Sequence, residues 1–264
     1  MTFATLPRPT TAPERLRPIR RSIGSPAEEH FLEPVVQTEP RADTFHRVAS
    51  PWHTVVVLVA FGVLEFRGRL HADQMRATLN PDRIALYKHI ILSEWLTLAL
   101  VLAGVWLNGS SLLTVLGNHW RSARDFFRDA GIGLLFLIAS IVVTSIVGGH
   151  RDAAHQATEF LLPRGGMETA LWIVVSLTAG ICEEAVYRGY LQKQFIALTK
   201  NVPAGVIFSA MAFGLAHSYQ GFARALLIGV MGAMAGILAY WCRSVRPGMI
   251  AHSLQDILGA FVRH

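Results

Sequence analysis

The strongest constraint on this chain is a run of residues, 131–149, that carries no charged side chain. A helix needs roughly 20 apolar residues to cross a bilayer core, which is close to the length of this run. Further apolar segments occur before and after it, at 51–66, 85–107, 168–188, 203–217, 223–242 and 247–262. Charged residues make up only 16% of the chain, whereas a soluble domain carries roughly 25%. The pattern predicts an all-α, polytopic membrane helix bundle with about seven to eight transmembrane helices.

The chain divides into three regions by composition. Residues 1–45 hold seven of the twelve prolines, with charges of both signs and no long apolar stretch, so we expect a disordered N-terminal tail. Residues 46–167 are predicted to form the N-terminal transmembrane helices. Residues 168–262 are predicted to form a transmembrane core.

The distribution of basic residues predicts topology and argues against nucleic acid. The chain carries 24 Lys and Arg against 18 Asp and Glu, but the basic residues flank apolar segments and form no single patch. Positive charge is enriched in cytoplasmic loops of membrane proteins. Placing the N-terminus in the cytoplasm puts most of the basic clusters on the cytoplasmic side. The predicted partner is therefore the lipid bilayer, with no nucleic acid.

Five ionisable side chains occur in or beside the last apolar segments: Glu183, Glu184, His217, His252 and Asp256. Such groups are expensive in a membrane and mark functional sites by default. Each also has a simpler explanation: the two glutamates suit a helix end, His217 suits the interface, and the last two suit a local pair. Because they fall on three different predicted helices within one third of the chain, we favour a shared site.

Helix geometry separates the two glutamates. Adjacent residues differ by about 100° around a helix, so Glu183 and Glu184 cannot face the same point. Glu184 precedes Arg188 by four residues, the favourable order for an ion pair, and this pair is predicted to be structural. Glu183 is left without a local cation, which suits a general base.

The same arithmetic places His217 opposite Glu183, but His252 would lie only ~8 Å into its helix and would reach the level of Glu183 only if the helices tilt. If the helix of Glu183 continues to about residue 199 and the chain turns at 200–202, Glu183 and His217 lie ~25 Å and ~22 Å from that turn. They would then face each other across antiparallel helices. His252 and Asp256 are four residues apart on one face, a spacing that suits two metal ligands or a histidine and the group that orients it.

The motifs resemble those of the CPBP family of intramembrane proteases, which includes the CAAX prenyl endopeptidases and bacteriocin-immunity-like relatives. Glu183-Glu184-Ala185-Val186-Tyr187-Arg188 is similar to the family's EExxxR element. Phe213 to His217 resembles its FxxxH element, and His252 to Asp256 resembles its third element. The resemblance covers about 168–262.

The resemblance implies an endopeptidase that hydrolyses a peptide bond of a membrane-associated protein or peptide. It implies that Glu183 and His217 activate water, while His252 and residue 256 steady the oxyanion or bind a metal. It further implies a multi-pass protein of the cell membrane, in a bacterium the inner membrane, and metal dependence with Zn²⁺ held among Glu183, His217, His252 and Asp256.

One position departs from the family pattern. The prenyl endopeptidases have Asn where this chain has Asp256, and an ionised carboxylate cannot donate a hydrogen bond to an oxyanion. Asp256 must therefore be protonated, orient His252 or ligate a metal. The chain contains no HExxH motif, which excludes a conventional zinc-protease site.

Two other functions remain open on sequence grounds. A non-enzymatic immunity or scaffold protein would retain the same side chains for packing. An ion or proton transporter would also use membrane-embedded Glu, His and Asp, although the sequence lacks the paired broken helices of inverted-repeat transporters.

Overall fold

The computed structural model describes residues 45–117, 119–147 and 158–261. The predicted tail therefore lies outside the described residues except for Phe45. The described residues contain helices and turns but no strand. The predicted all-α membrane bundle is confirmed.

Eight helices make up the described part of the chain. We number them α1 (Pro51–Ala77), α2 (Arg83–Leu107), α3 (Leu113–Leu116), α4 (Ala123–Val147), α5 (Gly166–Thr199), α6 (Val202–Ala216), α7 (Phe222–Cys242) and α8 (Arg246–Gly259). Two short 3₁₀ turns, Glu159–Leu161 and Ser218–Gln220, lie before α5 and between α6 and α7.

Within the described residues, α2, α4, α5 and α7 are long and apolar enough to cross a membrane, and α6 is a shorter apolar helix. The chain is thus a multi-pass membrane protein. The predicted seven to eight spans exceed this number because α1 mixes its apolar residues with charged ones in its second half, while α6 and α8 are short. Helix α1 also continues to Ala77, well beyond the predicted end at residue 66.

Local sequence signals explain where several helices begin and end. The side chains of Ser50, Asp82 and Asn201 accept hydrogen bonds from backbone amides in the first turns of α1, α2 and α6, which satisfies donors that a helix start leaves unpaired. Helix α5 runs to Thr199 as predicted, and Lys200 then adopts a left-handed conformation (φ 55°) that ends it.

Helix α5 is the centre of the bundle and is not uniform. An α-helix, Gly166–Glu183, leads into a π-helical segment, Glu184–Leu191, before α-helix resumes at Gln192. All eight residues of the π-helical segment are buried. They pack in the main apolar cluster with side chains of α2, α3 and α6, among them Val101, Val115 and Phe213. Widened turns of this kind are rare and are frequent at functional sites.

Candidate active site

Helices α5 and α8 approach closely at Gly180, which lies one turn before Glu183. A Cβ atom added to Gly180 would lie 2.1 Å from the Ser253 Oγ atom and 2.8 Å from the Ser253 backbone nitrogen. The Trp172 indole also donates a hydrogen bond to the Asp256 carbonyl oxygen (3.0 Å). This packing brings His252 beside the Glu183–Glu184 pair.

Glu184 and Arg188 form an ion pair with an N–O distance of 2.8 Å, and both side chains are 2% exposed. The guanidinium also donates to the Gly232 carbonyl oxygen (3.3 Å) and lies over the Phe213 ring at 4.3 Å. A buried charge pair is tolerable only when further partners satisfy it. The pair joins α5 to α6 and α7.

His252 lies among three carboxylates. Its Nδ1 atom is 3.3 Å from a Glu184 oxygen, and its Nε2 atom is 3.7 Å from Glu183 and 3.6 Å from Asp256. The distance of 3.7 Å from His252 is too long for a hydrogen bond, so the Glu183 Oε2 atom is buried without a hydrogen-bond partner. An unsatisfied buried carboxylate oxygen is a group ready to accept a proton from a bound water.

His217 is placed by its own helix. It follows the last residue of α6, and its Nδ1 atom lies 2.9 Å from the Phe213 carbonyl oxygen, which acts as the acceptor. The Nε2 atom is therefore the one left for chemistry. No hydrogen bond or ion pair joins His217 to Glu183 in the described part of the chain, so their facing arrangement stays a prediction.

Tyr219 lies beside His217, with the two rings nearly parallel and their centroids 6.2 Å apart. Burial raises the pKa of Tyr219 to about 12, and nearby carboxylates, chiefly that of Glu183, act in the same direction. The phenol is therefore neutral at physiological pH. The sequence analysis did not select this residue, because a tyrosine near the end of an apolar segment is typical of a membrane interface.

Two further carboxylates belong to the same polar region and were also missed. Glu65 of α1 accepts a hydrogen bond from the Ser218 hydroxyl (2.5 Å) and interacts electrostatically with His217. Glu94 of α2 interacts electrostatically with Glu183 and His252. The sequence could have indicated Glu94, because it is the single acidic residue within the apolar segment 85–107 and such residues mark candidate functional sites.

Glu183, His217, His252 and Asp256 offer chemically suitable zinc ligands. The described residues nevertheless contain no group of three His, Cys, Asp or Glu side chains placed to hold one metal ion.

Comparison with known families gives one match. Residues 165–258 match the family model described as Type II CAAX prenyl endopeptidase Rce1-like. No curated protein and no solved structure matches the chain. The matched segment begins just before α5 and ends in α8, so it includes the three motif helices and excludes Glu65 and Glu94.

Proposed function

We propose that this chain is an intramembrane endopeptidase, because residues 165–258 match the family model described as Type II CAAX prenyl endopeptidase Rce1-like. Its substrate is a membrane-associated protein or peptide. The observation that carries the proposal is the Glu183 carboxylate, whose buried oxygen has no hydrogen-bond partner although His252 lies 3.7 Å away.

In the proposed reaction, Glu183 accepts a proton from water while the water oxygen bonds to the peptide carbonyl carbon. The carbonyl oxygen becomes an oxyanion. The C–N bond then breaks, and the proton passes to the leaving nitrogen, with the Nε2 atom of His217 as the second group able to carry it. The products are a carboxylate and an amine.

The remaining motif residues position these groups. Glu184 holds both Arg188 and His252 (2.8 and 3.3 Å), so it couples the ion pair of α5 to α8. Asp256 lies 3.6 Å from the other nitrogen of His252. We assign Asp256 the role of orienting this imidazole, which agrees with its inability to donate a hydrogen bond when ionised.

The proposal is tested by comparing membrane proteomes of cells that express the wild-type chain, Glu183→Gln or His217→Ala. We expect new peptide termini only with the wild-type chain, while all three proteins accumulate equally. Glu168→Gln is the matched control, because Glu168 lies in the first turn of the same helix and contacts the backbone of Arg164. Equal cleavage by wild type and both variants would exclude the mechanism.

The same variants separate the other two functions. A scaffold or immunity protein would lose stability but not protection when Glu183 is replaced. A transporter would show ion flux in reconstituted liposomes. Zinc dependence stays a prediction from the family resemblance: bound zinc in purified protein, together with loss of cleavage in EDTA, would support it.

We also propose that the protein lies in the cell membrane with a cytoplasmic N-terminus. The support is that this orientation places most of the Lys and Arg clusters on the cytoplasmic side, as is usual for membrane proteins. Reporter fusions at the N-terminus and after α4 test this topology, because the activity of each reporter depends on the side of the membrane on which it lies.

A further inference from the structure

The proposed reaction leaves the oxyanion without an assigned hydrogen-bond donor. Asp256 occupies the position expected to help, but an ionised carboxylate only accepts. Arg188 already donates to Glu184 and to the Gly232 carbonyl oxygen. Stabilisation of the oxyanion is usually the largest single contribution to acyl-transfer catalysis. The family resemblance implies His252 as one donor, so the site needs a second donor in place of residue 256.

Tyr219 lies beside His217 and carries a hydroxyl group that can donate a hydrogen bond. Its ring lies against that of His217, and its hydroxyl group interacts electrostatically with Glu183 and Asp256. The ring contact with His217, at a centroid distance of 6.2 Å, places this phenol beside one of the two groups proposed to handle the proton.

A chain of hydrogen bonds leaves the Tyr219 proton available. The Arg224 Nε atom donates to the Gln220 Oε1 atom (3.0 Å), which fixes the orientation of that amide. The Gln220 Nε2 atom then donates to the Tyr219 hydroxyl oxygen (2.9 Å). The phenol accepts at this contact, so its own O–H points elsewhere, and donation in series strengthens each bond of the chain.

Helix α1 holds the turn that carries Tyr219. The Glu65 carboxylate accepts from Ser218, and the Arg76 guanidinium donates to the Tyr219 carbonyl oxygen (2.5 Å). These contacts fix the backbone on both sides of the Ser218–Tyr219 peptide bond. A donor aimed at a reacting atom needs such support, because its value depends on being in place before the reaction.

A cavity of about 270 Å³ opens beside this turn. It is lined by residues of the turn and by Arg69, Asp73 and Arg76 of α1. It is open to the surface, and Tyr219 is one of the residues that line it.

We propose that Tyr219 is a catalytic residue whose hydroxyl group donates a hydrogen bond to the oxyanion, with Gln220 as the positioning residue for that hydroxyl. The inference rests on the proposed peptidase function. In the balanced step, the carbonyl oxygen gains negative charge as the water oxygen bonds to carbon, and Tyr219 donates to it without losing its proton.

The test is Tyr219→Phe in the purified full-length protein. The probes are a farnesylated CAAX peptide bearing a fluorophore and quencher, and the same peptide without the lipid. We expect kcat to fall by about 10²–10³-fold, as for loss of one oxyanion donor, with KM changed less than about twofold because the bond forms only in the transition state. The ring remains, so the packing of His217 is kept.

Tyr240→Phe is the matched control, since Tyr240 lies on α7 away from the reaction centre and undergoes the same chemical change. Gln220→Ala is a second variant that leaves Tyr219 intact, and we expect about a tenfold fall in kcat with KM unchanged. Gln220→Ala tests the role of the Tyr219 hydroxyl group if the Tyr219→Phe protein does not accumulate.

The two proposals fail in different ways. A wild-type protein that cleaves neither peptide and also produces no new peptide termini in the membrane proteome would overturn both the function and this inference. Cleavage by wild type that Glu183→Gln abolishes, combined with wild-type kcat in Tyr219→Phe, would overturn the inference alone. A raised KM with unchanged kcat would also overturn it, because the hydroxyl would then serve substrate binding.

Discussion

His252 and Glu184, 68 positions apart in the chain, lie 3.3 Å from each other across the contact between α8 and α5. The same Glu184 oxygen lies 2.8 Å from Arg188. One carboxylate atom therefore connects the buried ion pair to the imidazole of the candidate active site. Glu184 has a role in placing His252 as well as in compensating the charge of Arg188.

Glu184→Ala should destabilise the protein much more than Glu183→Ala. Removing Glu184 leaves the Arg188 guanidinium buried without its carboxylate, which costs about 3–5 kcal/mol. Removing Glu183 takes away a carboxylate oxygen that has no hydrogen-bond partner, so the free energy of unfolding should change by less than about 1 kcal/mol. Unfolding of the detergent-solubilised variants measures both. Equal losses of stability would contradict the division of roles between the two glutamates.

Gly248→Ala should separate α8 from α5. A Cβ atom there would lie 2.7 Å from the Glu184 Oε2 atom, and such overpacking costs about 1–3 kcal/mol. Gly259 lies in the same helix with no atom within 4 Å of its added Cβ, so Gly259→Ala is the control. We expect lower thermal stability and loss of cleavage only for the first variant. Full activity of Gly248→Ala would show that the helix contact is more adaptable than the structure indicates.

Glu65→Ala and Ser218→Ala should lower kcat to a similar extent, since each removes the same hydrogen bond beside His217. A small displacement of a catalytic group costs up to about 10²-fold in rate. Glu65→Gln retains an oxygen acceptor and should keep most of the activity. Glu159→Gln is the control, because Glu159 pairs with Arg164 away from this turn and is largely exposed. Additive effects in the double variant Glu65→Ala/Ser218→Ala would argue against a shared bond.

Asp129→Ala should loosen the start of α8. The buried Asp129 carboxylate lies 2.9 Å from the Arg246 Nε atom and accepts from the Trp120 indole. Its removal leaves Arg246 without this partner and should cost about 3–5 kcal/mol. Asp125→Ala, one turn earlier and more exposed, should change the free energy of unfolding by less than about 1 kcal/mol. Similar stabilities of the two variants would exclude a clamp between α4 and α8.

Much of the fold followed from the order of apolar and charged residues. The length of α5 and the turn near residue 200 depend on local periodicity, which a sequence displays directly. The approach of His252 to Glu183 and Glu184 does not, because the rise per residue alone leaves His252 at a different depth. The four-residue spacing of Glu184 and Arg188 corresponds to a contact, although a π-helical turn now contains it.

The contributions of Glu65, Glu94 and Tyr219 could not be predicted in the same way. Each depends on which helices are neighbours in space, and a single sequence does not state that α1 packs on the turn after His217 or that α2 packs on α5. Glu65 and Tyr219 are 154 positions apart, yet both lie at this turn. Contacts between residues so far apart in the sequence can be identified only from the assembled helix bundle.

The π-helical segment of α5 changes the direction around the helix axis in which the later side chains of α5 point. A turn closed by an i→i+5 bond holds about one residue more than an α-helical turn, which rotates the later side chains by about 100° relative to an uninterrupted helix. The first part of α5 packs on α2 and α8, and the last part packs on α6. One continuous helix can therefore pack its buried face against different neighbouring helices at its two ends. Shortening the segment by a single residue would turn the α6-facing side chains of Gln192–Thr199 out of register.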